Sequence, residues 1–153
     1  MWYTDADETE GNHVKRRMKT IAALSLILAL GLGLFGCAGA PLPEGFDAEA
    51  VTSKAAEIVR LSTEGDYGAV TALLREGLKG AITAEQLEAD WAPVYEKAGA
   101  FESVTRTALS GAADKASGEE YAVAQVLAKH ANASLVYTLS FDRDLALVGL
   151  YLR

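Results

Sequence analysis

Few residues in this sequence carry chemistry of their own. Cys37 is the only cysteine, so its thiol has no intramolecular disulfide partner and is free for another bond. Past that point there is one histidine, His130, and one acid at a suggestive position, Asp66. Asp66 stands where a helix begins and reads as a cap. His130 ends a strand beside a turn, a solvent position, so no catalytic residue is assigned. One histidine without a second cysteine cannot build a zinc site, and no metal is expected. No glycine-rich phosphate loop joins a strand to a helix. Gly-Xaa-Ser-Xaa-Gly is absent, Leu109-Ser110-Gly111 reading as a turn. No cofactor is expected. Five aromatics, Tyr67, Trp91, Tyr95, Tyr121 and Tyr137, are candidates for lining a pocket. Their helical and strand spacing equally suits a packed core.

Cys37 sits at the end of a targeting pattern. Lys15, Arg16, Arg17 and Lys19 precede an apolar run from Ile21 to Phe35. As a helix those residues would cover about 22 Å, short of the ~30 Å hydrocarbon core, which favours a cleaved signal over a permanent span. Leu34-Phe35-Gly36-Cys37 resembles the lipobox of bacterial lipoprotein precursors, with Phe35 departing from the small or β-branched residue usual there. The resemblance implies diacylglycerol on the Cys37 thiol, cleavage before it, and residence in the cell envelope facing away from the cytoplasm. Ala38 is not the aspartate that retains such proteins at an inner membrane. The acidic stretch with Asp5, Asp7, Glu8 and Glu10 is foreign to a signal, and Met18-Lys19 makes a better start, so residues 1–17 read as a mis-assigned start. His13 falls there and receives no role.

The expected organisation is therefore a signal segment over 1–36, a lipid-anchored tether over 37–46 stiffened by Pro41 and Pro43, and one domain over 47–153. The four acids and four bases before Cys37 cancel, so the net charge of −7 belongs to the rest of the chain. Such acidity argues against nucleic acid as a partner.

The domain must come from helices followed by strands. Asp47 caps a first helix with Val51, Ala55, Ile58, Val59 and Ser62 on one face, and Gly65 ends it. A second helix from Asp66 presents Tyr67, Val70, Leu74 and Leu78. Thr83 to Gln86 forms a capping box for a third, with Leu87, Trp91, Val94 and Tyr95 inward, a kink or break near 89–91 caused by Pro93, and Gly99 as its stop. The period then changes to two: strands over Phe101–Leu109, Tyr121–His130, Ser134–Phe141 and Leu145–Leu152, with a turn over 110–119. Glu119 and Glu120 read as a solvated pair. This is an α+β chain with three N-terminal helices packed on a curved four-stranded antiparallel sheet.

Gly65-Asp66-Tyr67, Gln86-Leu87 with Trp91, Gly99-Ala100-Phe101, Phe141-Asp142 and Val148-Gly149-Leu150 together resemble a bacterial domain of unknown function, number 3887, over about residues 50–153. The family's glycine after Phe-Asp is replaced here by Asp144 and Leu145. The resemblance implies a nuclear-transport-factor-2-like, cone-shaped fold and no assigned activity. The expected function is a non-catalytic envelope module that binds an envelope protein or forms a homodimer through its sheet. The alternatives are a small-ligand binder using the space between sheet and helices, and an enzyme of unassigned class.

Overall fold

The computed structural model describes residues 39–153; the signal pattern and Cys37 lie outside the described residues. Helix α1 (Ala48–Thr63) starts where the Asp47 carboxylate accepts the amides of Glu49 and Ala50 at 2.8 and 2.9 Å. It ends in a Schellman motif: Gly65 takes φ +78, its N–H donates to Ser62, and the Asp66 N–H donates to Leu61. Asp66 then caps α2 (Tyr67–Ala72) through the Ala69 amide.

Helix α2 is shorter than the periodicity suggests. Leu74 keeps its buried position as an extended residue, because the chain bridges to Leu147: Leu147 N–H donates to Leu73 and Arg75 N–H to Leu147, both at 2.9 Å. A 3-10 turn over Glu76–Leu78 follows. Helix α3 (Ala84–Ala98) begins at Thr83, whose hydroxyl accepts the Gln86 amide at 3.2 Å. Hydrogen bonding, first to its own backbone N–H and then to the Thr83 hydroxyl, holds the neighbouring Glu85 carboxyl below its ordinary range. The helix runs unbroken through Pro93, contrary to the expected break. Pro93 and Ala89 are exposed, so the Ala89 carbonyl that loses its donor faces water.

Strands β1 (Phe101–Ala113), β2 (Glu120–His130), β3 (Ser134–Phe141) and β4 (Leu147–Leu152) form one antiparallel sheet in the order β1-β2-β3-β4. The buried face carries Ala122, Ala124, Val126, Ala128 and His130 from β2, and Leu135, Tyr137, Leu139 and Phe141 from β3. Alanines on β2 let α1 approach closely, while the large β3 side chains fill the space beside it. In the turn after β3, Asp142 accepts the amides of Asp144 and Ala146. Leu145 takes the left-handed φ of 58 there, the conformation a glycine would supply freely.

Two expectations are corrected at the β1 end. Ser110-Gly111 is strand, not turn: Ser110 and Gly111 pair with Val123 and Ala122, and the connection shrinks to a loop closed by the Asp114 N–H donating to Glu119. The stretch read as a tether packs on the sheet from Gly39 onward. The Gly111 N–H donates to Ala40 at 2.8 Å, Leu42 and Phe46 join the core, and the Arg143 guanidinium stands 5.5 Å over the Phe46 ring while donating to the Glu44 carbonyl.

A Cβ at position 111 would lie 2.5 Å from the Pro41 carbonyl oxygen and 2.9 Å from Pro43 Cδ. Gly111→Val is therefore expected to displace residues 39–46 at a cost of about 1–3 kcal/mol. Limited proteolysis checks this: new cleavage between Leu42 and Phe46 in the variant, absent from the parent, is the expected pattern.

Candidate functional site

A buried histidine and a group of aromatic side chains meet near the β2–β3 end of the sheet. Trp91 and Tyr95, one helical turn apart on α3, lie edge to face with ring centroids 6.4 Å apart. Tyr137 rises from β3 to meet both, 6.1 Å from Trp91, and donates its O–H to the Tyr95 hydroxyl at 3.0 Å. His130, at the end of β2, stacks on Tyr95 at 5.8 Å and takes the edge of Phe101 at 5.6 Å. Gly99 completes the group, since its left-handed turn aims a carbonyl at His130 Nδ1, 3.0 Å away.

The electrostatics follow from this packing. A carbonyl only accepts, so His130 Nδ1 is the donor in this contact. Its Nε2 is buried without a hydrogen-bond partner among the described residues. Leaving it so costs about 1–3 kcal/mol. Burial pushes the Tyr137 phenol up to about 12. Burial raises Tyr95 further. Both phenols are therefore poor acids at neutral pH, and His130 Nε2 is shut from solvent.

The sign of the resulting pH dependence is fixed. A phenol whose pKa is raised on folding stabilises the native state fully below its unfolded value near 10. That stability is lost as pH climbs through the folded value, so the domain should weaken from about pH 10 to 12. Absorbance at 295 nm checks it: of the six tyrosines, two are expected to stay protonated past pH 11 and ionise only as the chain unfolds.

Four of the five aromatics considered for a pocket are near one another on the inner face: Tyr67, Trp91, Tyr95 and Tyr137. Tyr121 is not with them. It belongs to the opposite face of β2 and donates to Glu119 at 2.6 Å, beside Arg75. Asp66 serves as the α2 cap. His130, expected in solvent, is 3% exposed. Strand parity puts His130 on one face with Ala122, Ala124, Val126 and Ala128, but does not by itself say that this face is inside.

The described residues also form clefts on the surface. One of about 390 Å³ lies between α3 and β4, lined by Ile82, Leu87, Asp90, Trp91, Leu150 and Leu152. A polar one of about 430 Å³ holds two ion pairs, Arg75–Glu119 and Arg143–Glu120, so Glu119 and Glu120 are partnered. Another, about 240 Å³, lies by Pro93, Ala98 and Leu135. Among the described residues no cluster of His, Cys, Asp and Glu is placed to hold a metal ion, and no helix is long and apolar enough to cross a membrane.

An NMR structure of a protein from Ruminococcus gnavus ATCC 29149 is similar to this chain, with a TM-score of 0.64 and 25% identity, covering 72% of this chain and 95% of that one. No curated protein matches the chain. Residues 55–150, from within α1 to β4, match the family described as Protein of unknown function (DUF3887). The match takes in every element that builds the aromatic group, and the chain belongs to that family.

Proposed function

We propose that this chain is a bacterial envelope lipoprotein, anchored through lipid on Cys37, whose domain is a non-catalytic protein-interaction module of the nuclear-transport-factor-2-like group. One observation carries the interaction part. The space between sheet and helices is occupied by Tyr137, Phe141, Leu139 and Ile58, all fully buried, while the openings lie on the outside. Small-molecule sites are concave, so large side chains filling that space favour a role for the surface. The anchoring part rests on the lone cysteine and its flanks.

Mass spectrometry of membrane fractions tests the anchor: a diacylglycerol thioether on Cys37 is expected, and Cys37→Ser should move the protein out of the membrane fraction. An unmodified thiol overturns it. Crosslinking in intact cells tests the module, which should yield a discrete heteromeric or dimeric species; uncrosslinked monomer throughout counts against it. A second reading, a small ligand held inside the cone, is favoured by the unpartnered His130 Nε2. Such a ligand must reach His130 and hydrogen-bond to its Nε2. A fragment screen read by the His130 ring resonances decides it, and no fragment shifting them at millimolar concentration dismisses it.

A further inference from the structure

The two edges of the sheet are unlike. Edge strands offer unpaired backbone groups, and proteins blunt them with charges, bulges or cover. Strand β1 has all three: Glu102 and Arg106, register shifts at 101/103 and 104/106, and Ala40 paired to Gly111. Strand β4 reads Leu147-Val148-Gly149-Leu150-Tyr151-Leu152, without a charge or a proline. Its start is covered by Leu73–Arg75, but the rest is not.

Backbone alternation says which groups are free. Arg153 and Val136 exchange both bonds, 2.8 and 3.1 Å, so Tyr151 with Thr138 and Gly149 with Ser140 are the next hydrogen-bonded pairs toward the turn. The N–H and C=O of Leu150 and Leu152 therefore point away from β3, and no partner meets them among the described residues. Their side chains, opposite Leu139 and Tyr137, face the 390 Å³ cleft whose far wall is Leu87, Trp91 and Val94 of α3. Asp90 is the one charged residue lining that cleft, in a chain of net charge −7.

We propose that this groove takes an extended peptide segment of a partner protein as a fifth strand. The segment bonds to the Leu150 and Leu152 backbone, drops alternate apolar side chains against Leu87 and Trp91, and sets a lysine or arginine against Asp90. A groove between a free strand edge and a helix supplies what strand addition needs: backbone bonds for affinity and side-chain pockets for specificity. Charge complementarity selects a basic segment. The inference rests on the protein-interaction reading and is independent of Cys37.

The test is selection from a displayed octapeptide library on the full chain in detergent, followed by amide hydrogen exchange. Selected peptides should alternate apolar residues and carry a basic one. Bound, they should slow exchange at Leu150 and Leu152 by about tenfold or more. Asp90→Lys, at an exposed helical position that folding does not need, should switch the selected charge from basic to acidic. Peptides that bind but leave those two amides unprotected, or ignore Asp90→Lys, overturn the groove while leaving an interaction module standing. So does a selection that enriches nothing. Protection of both amides in the peptide-free protein that fades on dilution also overturns it, since a second copy would then hold the edge.

Discussion

Replacing Tyr137 with alanine is expected to lower the unfolding free energy by about 3–5 kcal/mol. The side chain is fully buried, packs edge to face on Trp91, and holds the Tyr95 hydroxyl through its own. Its neighbours Leu139 and Val126 belong to paired strands that cannot close over the hole. A domain of this size is stable by about 5–15 kcal/mol, so the loss is a large share of the whole. Tyr137→Phe separates the terms. It keeps the ring and removes only the donated hydrogen bond, so about 1 kcal/mol is expected. Urea midpoints at unchanged slope measure both variants on the full chain. A loss near 1 kcal/mol for the alanine variant would mean that Tyr137 lines open space, and would favour a ligand cavity over the filled interior.

The features legible in the sequence are those decided locally. Asp47, Thr83 and Gly99 cap or stop helices through atoms a few residues away, and strand Ser134–Phe141 alternates so cleanly that its bounds follow directly. The family match over residues 55–150 agrees with the order of motifs that suggested it. Features decided by distant partners were hidden. Leu74 keeps helical spacing, yet its chain leaves the helix for Leu147. Ser110-Gly111 has the composition of a turn, but glycine is there because Pro41 and Pro43 come too near for a side chain.

His130 and Tyr121 show the same limit within the candidate site. On β2 the larger residues, Tyr121, Val123 and Leu127, occupy the outer face, and alanines face the helices. Size alone therefore points the strand the wrong way. Only the approach of α1, which needs those alanines, fixes which face is inside and carries His130 with it. The four inner aromatics were recognisable by type, whereas the imidazole that joins them was not.

Gly99→Ala is the sharpest test of how that group is held. At φ 78 and ψ −169 the residue lies where glycine alone is comfortable, and the backbone by itself costs about 1–3 kcal/mol. An added Cβ would also stand 2.9 Å from Asn132 Nδ2 and 3.1 Å from Ala131 Cβ. That turn is stitched to the end of α3 by Asn132 N–H donating to Ala98 and Ala131 N–H donating to Ala100. A methyl at position 99 forces the two apart and pulls the carbonyl off His130 Nδ1. Gly65→Ala is the matched control, with the same φ of +78 and nothing within 4 Å of its Cβ, so it carries only the backbone cost of about 1–2 kcal/mol. The expected result is a larger loss at 99 than at 65 by urea unfolding, with disappearance of the hydrogen-bonded His130 Nδ1–H resonance in the first variant only. Equal losses, with that resonance intact in both, would show that Gly99 is required for its turn alone and that the His130 contact is incidental.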